Sequence, residues 1–285
     1  MAQKNAGMFG GNSLTTTNVV IGSPPLSFYA VQGAVVGNVL SRAGASVSFV
    51  REFHETIYPK IGSGEIDVFV ASWLPSGHSE FWKSVKNNAR QMGEIFDGGA
   101  FFLAVPDYVH ENEVSSISDL RDASFEKQIV SVGPGGAVLT NRANEALDDY
   151  GLREAGYEID AREEADWVSH TLQAYGEGRK FAIAIWQPCF LNDQVSLRRL
   201  TDPDLSMGPD DTGWIIANTG FLAGAPAWIH ALLANINLGI PTITKLDKRI
   251  VIDGLSPDDA AEEWVQNNAA RVDAWIAAAL EKKSA

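Results

Sequence analysis

The 285 residues suffice for two domains or one large one, with a core that needs neither metal nor disulfide staples. Lys and Arg number 22 against 36 Asp and Glu, a formal charge of −14, which repels phosphate backbones and anionic lipid and disfavours nucleic-acid and membrane-surface binding. No apolar run approaches the ~18–20 residues of a membrane helix, and the one cysteine, Cys189, excludes an intrachain disulfide and an all-cysteine metal site.

Residues 1–17 are polar and glycine-containing, with little to bury, and read as a flexible tail outside the fold. They lack the charged head and apolar stretch of a secretion signal, which leaves either a cytoplasmic chain or one whose leader has been removed. Short β-rich runs then alternate with amphipathic stretches of helix length, the pattern of an α/β protein with mostly parallel strands. Asn18–Gly22 predicts a first strand. Pro24-Pro25 makes a turn, a helix runs from Leu26 to Leu40, and Ser46–Val50 predicts the second strand. Ile66–Val70 predicts a third, and the uninterrupted apolar run Gly99–Val105 predicts a strand buried on both faces.

After Pro106 a second α/β series begins. Its strands are predicted at Gln128–Val132, Tyr157–Ala161 and Phe181–Ile185, with helices at Gly136–Tyr150 and Ala165–Tyr175. Thr201–Gly213 reads as an acidic surface linker, Trp214–Asn218 as one more strand, and the chain beyond Ala225 as helix. The last helix has Ser256 as N-cap, Pro257 in its first turn, and one packing stripe through Trp264, Asn268, Val272, Trp275 and Ala279. This order predicts two lobes, the first formed by residues 18–102 with 212–285 and the second by 103–211. Two chain crossings make a hinge, and the cleft between such lobes is a ligand site.

Three local features bear on chemistry. A buried strand runs into Trp73, a proline turn and His78, and ligands collect at the carboxyl ends of strands in open α/β sheets. Trp73 can equally be a core residue between sheet and helix, and His78 a surface residue at a helix start. The second lobe repeats the arrangement at Trp186-Gln-Pro-Cys-Phe190. Two indoles, one per lobe, can face each other across a cleft as an aromatic cage for a methylated ammonium, which has no N–H to donate. Gly133-Pro-Gly-Gly-Ala137 lies between a strand and a helix, where free amides hold a carboxylate better than a phosphate, since no Lys follows as in a P-loop. Ser23, in the first strand-to-helix turn, is a weaker analogue. Catalytic constellations are thin: no HExxH, no GxSxG, and no basic neighbour beside Cys189. A hydrolase or transferase using His78 or Cys189, and a cytoplasmic ligand-sensing domain, are the rival readings.

The segments GEIDVFVASWLPSGH (64–78), FFLAVPDYV (101–109), ISDL (117–120), VGPGGA (132–137), WQP (186–188), LTDPD (200–204) and SPDDAAEEWVQNN (256–268) fall in one order. That order resembles the substrate-binding proteins of glycine betaine/choline/proline-betaine ABC importers, from Asn18 to Ile276. The resemblance implies a bilobal periplasmic-binding-protein fold of type II, outside the cytoplasm. It implies no cofactor, no metal and no catalysis, and a membrane permease as partner. Carried over by position, Trp73 and Trp186 are walls of an aromatic box. Gly135, Gly136 and Ala137 lie near the ligand carboxylate, and His78 is the histidine after the WLP turn. Where family members often have Trp-x-Pro-His-Trp, this chain has Trp186-Gln-Pro-Cys-Phe190, its glycine turn carries no tryptophan, and Pro24-Pro25 is unusual. Phe28, Tyr29 or Phe190 can complete the box. Glycine betaine is the first candidate, with choline, carnitine and a cyclic betaine behind it.

Overall fold

A computed structural model describes residues 17–123, 125–133 and 136–281. Residues 1–16 of the expected tail and Gly135 of the glycine turn lie outside them. Thr17, at the end of that tail, accepts the Ser46 N–H at its carbonyl (2.9 Å).

The valines and isoleucine of β1 (Asn18–Gly22) pair in parallel with β2 (Ser46–Val50), and α1 (Ser27–Arg42) crosses between them. That helix is apolar on almost every face and buried to match, as a helix packed from two sides must be. β1 also pairs with β3 (Val68–Leu74), reached through α2 (His54–Ser63) and followed by α3 (Ser79–Val85). β3 is buried from end to end and runs past its expected limit, so Trp73 stands within the strand.

β4 (Ala89–Pro106) ties the molecule together. Its first part, Ala89–Gly99, pairs antiparallel with the late strand β9 (Asp211–Asn218); from Ala100 onward it pairs with β7 (Ala182–Gln187). Only Gly99–Val105 is visible as strand in the sequence. The preceding residues are polar and exposed at intervals, so nothing in their hydropathy separates them from loop.

The second half of the sheet follows a 3₁₀ turn at Ile117–Arg121. β5 (Gln128–Val132) is parallel to both β6 (Glu158–Arg162) and β7, with α4 (Ala137–Asp149) and α5 (Glu164–Gly176) as the connections. After β7 come α6 (Leu191–Gln194) and the short β8 (Leu197–Arg199), which sits on β4 and was not legible from sequence. The full order is β2-β1-β3-β9-β4-β7-β5-β6. The sheet is therefore parallel at both flanks and antiparallel in the middle, where the sequence predicts mostly parallel strands.

Past β9 the chain is helical: α7 (Thr219–Gly224), α8 (Ala227–Asn235), α9 (Ile240–Val251), α10 (Pro257–Asn267) and α11 (Ala269–Glu281). The Ser256 cap is present, its hydroxyl accepting the Asp259 N–H (3.0 Å). The single terminal helix expected from the packing stripe is two. The chain breaks at Asn268, whose side-chain amide donates to the Trp264 carbonyl (2.8 Å) and ends α10. Among the described residues no helix is long and apolar enough to cross a membrane, and no group of three His, Cys, Asp or Glu is placed to hold a metal ion.

Candidate functional site

A cavity lies on the seam where β4 changes partner. Leu26, Phe28 and Tyr29 reach it from the start of α1, His54 from the start of α2, and His78 from the turn after β3. Val132, Gly136, Val138 and Leu139 close it from the β5–α4 side, Trp186 from β7, and Phe101 from β4. Both halves of the molecule thus contribute walls. The space enclosed is about 20 Å³, room for one water-sized guest.

The aromatic wall is layered. Phe28 and Trp186 stand with ring centroids 5.4 Å apart, and Trp186 is stacked on Trp167 of α5 at 5.1 Å and 13°. Phe101 is the ladder partner of Trp186 across β4 and β7, so both side chains leave the same face of the sheet. Trp73 stacks on Phe101 (4.7 Å, 10°), meets Phe28 edge-on at 6.1 Å, and is fully buried. It does not line the cavity; Phe101 stands where the second indole was expected. The aromatic layer is tight enough to demand glycine beside it. A Cβ on Gly213 would fall 2.3 Å from the Phe96 ring, which packs edge-on against Trp73 at 5.3 Å.

The polar side of the cavity is a fixed chain of hydrogen bonds. The Trp73 N–H donates to His78 Nδ1 (3.1 Å), and the same nitrogen lies 3.0 Å from the Tyr58 hydroxyl, which is itself 2.7 Å from Ser72 Oγ. Nδ1 must therefore be an acceptor. Burial holds the pKa of His78 well below its ordinary value, with the neighbouring His54 adding to the shift. The ring is neutral and its one proton sits on Nε2. Nε2 lies 3.2 Å from the Tyr29 hydroxyl. Burial also pulls His54 down to about 3.

Two acids, Asp247 buried and Glu164 partly so, meet at Ser27 and tie the halves together. Ser27 Oγ lies 2.5 Å from Asp247 Oδ1 on α9 and 2.7 Å from Glu164 Oε1 on α5. A serine hydroxyl has one hydrogen, so two carboxyl oxygens at these distances require a proton on one of the acids. Asp247 is the better holder: burial, with a smaller push from Glu164, raises it to about 7 against the hydrogen bonds from Ser27 and Phe190. Its other oxygen accepts the Phe190 N–H (3.0 Å). Glu164, also raised by burial, accepts the Ser27 N–H (3.3 Å). A further tie runs from Arg142 of α4 to Ser76 Oγ in the turn after β3 (3.0 Å).

Of the residues singled out in the sequence, Phe28, Tyr29, His78, Gly136 and Trp186 meet at the cavity. Ser23 is buried and gives its N–H to the Val50 carbonyl (3.0 Å). Phe190 is buried away from the cavity wall, and Ala137 is exposed at the start of α4. The Gly136 N–H donates to the Gly133 carbonyl (3.0 Å) within its own turn. Cys189 is buried, which pushes its thiol well above the ordinary value. Sequence reasoning missed His54, Phe101 and Trp167. His54 follows the end of β2, so the strand-end rule that picked out Trp73 applied equally to it.

A family model described as the substrate binding domain of ABC-type glycine betaine transport system matches residues 17–267. A curated relative, the glycine betaine/carnitine transport binding protein GbuC of Listeria monocytogenes, is 23% identical over 147 residues, 52% of this chain and 48% of that protein. The chain spans about half the length of the curated relatives it matches. Among solved structures, lactococcal OpuAC in its closed-liganded conformation with glycine betaine superposes with a TM-score of 0.82 at 20% identity, covering 91% of this chain and 99% of that one. ProX from Borrelia burgdorferi gives 0.82 at 21%, covering 91% and 96%. The fold is the bilobal, type II periplasmic-binding-protein fold, and the chain belongs to the family of substrate-binding domains of ABC-type glycine betaine transport systems.

Proposed function

We propose that this member of the family captures a methylated ammonium solute between its lobes and delivers it to an ABC permease in the membrane. The observation that carries the reading is the aromatic wall shared across the seam, Phe28 from one half and Trp186 from the other, 5.4 Å apart. A methylated ammonium offers no N–H, so hydrogen-bond acceptors gain little from it, whereas ring faces attract its charge directly. Each such contact is worth ~0.5–1 kcal/mol in water and ~2 kcal/mol or more when desolvated. Burial on closure supplies the desolvation.

The lobes are 18–102 with 212–285, and 103–211. This division is supported by β4, which exchanges β9 for β7 between Gly99 and Ala100, three residues before the expected boundary. A space of about 20 Å³ does not admit a betaine, so loading needs the lobes to part at that crossing. Trp73 backs Phe101 and stiffens the wall; Trp186, Phe28 and Tyr29 make the contacts. Glycine betaine is the leading solute, ahead of choline, carnitine and cyclic betaines. The receptor works outside the cytoplasm, in the periplasm or at the cell surface, and performs no chemistry on its guest. His78, with both ring nitrogens engaged and its basicity lowered by burial, and the buried, protonated Cys189 thiol are poor groups for the rival hydrolase reading.

A thermal-shift panel of betaines, choline, carnitine and amino acids tests the reading. A binding solute at a hundred times its Kd stabilises the fold by ~2.7 kcal/mol through mass action. One methylated ammonium raising the midpoint and returning unaltered after long incubation is the expected result. A flat panel, or recovered solute that has been converted, would overturn it.

A further inference from the structure

The histidine that the resemblance picks out after the WLP turn is fully engaged here. His78 Nδ1 takes the Trp73 N–H at 3.1 Å and faces the Tyr58 hydroxyl at 3.0 Å. Its Nε2–H is left to donate to Tyr29 Oη at 3.2 Å. Because Nδ1 can only accept from a backbone amide, the direction of the chain is fixed: the imidazole donates and Tyr29 oxygen accepts. The Tyr29 hydroxyl hydrogen then has no acceptor among the described residues, although the side chain is 3% exposed and lines the cavity.

A second polar atom on the same wall is equally without a partner. His54 is 5% exposed and lines the cavity, and its Nε2 is buried with no hydrogen bond among the described residues. Its ring centre is 5.0 Å from that of Tyr29 and 4.5 Å from that of His78. A buried donor left unpaired costs ~1–3 kcal/mol. Two unpartnered polar positions on one cavity wall, the Tyr29 hydroxyl hydrogen and a His54 Nε2 that donates when it carries the neutral ring's proton, mark a place for an acceptor that the protein does not itself supply. The aromatic wall begins one residue away, since the Phe28 ring lies 4.0 Å from that of Tyr29. One corner thus offers donors and the adjacent wall offers π faces.

We propose that the Tyr29 hydroxyl and the His54 imidazole together read the carboxylate of a zwitterionic guest, and so set a preference for betaines over methylated ammonium ions that lack a carboxylate. The inference rests on the capture function proposed above. His78 acts behind them as a positioning residue, turning the Tyr29 hydroxyl hydrogen outward.

The test compares glycine betaine with tetramethylammonium, which shares the cationic head and has no carboxylate, by calorimetry on the full chain. Hydrogen bonds to a charged acceptor are worth ~1.5–3 kcal/mol, so Tyr29→Phe and His54→Leu should each weaken glycine betaine at least about tenfold. Tetramethylammonium should change less than about twofold, and His54→Gln, which keeps an N–H donor, should recover part of the loss. Taking the ratio of the two affinities within one variant cancels any partial loss of folded protein. Both ligands weakening equally, or glycine betaine binding unchanged in either variant, would overturn the role of that residue. Wild-type protein that binds tetramethylammonium and not glycine betaine would sink the carboxylate corner alone. Wild-type protein that binds neither would sink the capture function with it.

Discussion

Two turns in this protein share a plan and are put to different use. Trp73-Leu-Pro-Ser-Gly-His78 leaves β3, and Trp186-Gln-Pro-Cys-Phe190 leaves β7; each begins with an indole at the end of a buried strand. In the first, the indole is walled off behind Phe101 and the terminal histidine reaches the cavity. In the second, the indole itself lines the cavity and the terminal phenylalanine does not. The anchors differ as well. Asp211 takes the Ser76 and Gly77 N–H groups (2.6 and 2.8 Å), whereas Asp247 takes the Phe190 N–H across the seam and meets Ser27 on its own side. A local motif decides where an aromatic ring starts; the neighbouring strand decides what it touches.

Breaking the first turn should hurt folding most. Trp73→Ala empties a site inside the aromatic stack and should cost ~3–5 kcal/mol of stability, the range for large-to-small core changes, measured by urea unfolding without ligand. A loss under ~1 kcal/mol would mean that the stack relaxes and that Trp73 is not a supporting element. Breaking the second turn should hurt binding. Trp186→Ala should weaken glycine betaine at least about tenfold, ~1.4 kcal/mol, while the variant still unfolds cooperatively; unchanged affinity by calorimetry would remove Trp186 from the site.

The acids sharpen the contrast through pH. Asp247 is raised by burial from an ordinary value near 3.8 to about 7. Its contribution is fully present below the unfolded value and is lost as pH rises through the folded one. Stability should therefore fall between about pH 4 and pH 7, and Asp247→Asn, which needs no proton, should flatten that part of the profile. An identical slope in wild type and variant would place the shared proton elsewhere. The smallest effect is expected at Arg142, a partly exposed side chain donating to Ser76. Arg142→Ala should change affinity less than about threefold, in line with other solvent-accessible polar contacts; a larger loss would make this tie part of the closing mechanism.

Much of the scaffold could be read from the sequence, because the flanking strands carry their own signal. β1, β2 and β5 have the expected limits, since each is a short apolar run bounded by turns. The middle of the sheet was harder. β4 begins with Arg90, Gln91, Glu94 and Asp97, and its pairing with β9 joins residues over a hundred positions apart, which local hydropathy does not encode. The same limit governs the site. Trp186, Phe28 and Tyr29 were within reach of a rule about strand ends and helix starts. Phe101 looked like one more core residue of FFLAV, because only its register opposite Trp186 brings it between the two indoles. No motif or spacing marks His54 in the sequence, and its meaning comes from what its Nε2 lacks.

The crossing between the halves is made by β4 and β9, two strands hydrogen-bonded to each other, rather than by a pair of free loops. A paired ribbon stores elastic energy when twisted and returns it. Its ladder is interrupted by register shifts between Gln91 and Gly93, Glu94 and Phe96, and Phe96 and Gly99. Such bulges let a ribbon bend where pairing is already broken. The halves should therefore travel along one narrow arc, like a leaf spring thinned at set points, and return to a reproducible shape rather than to a swarm of orientations.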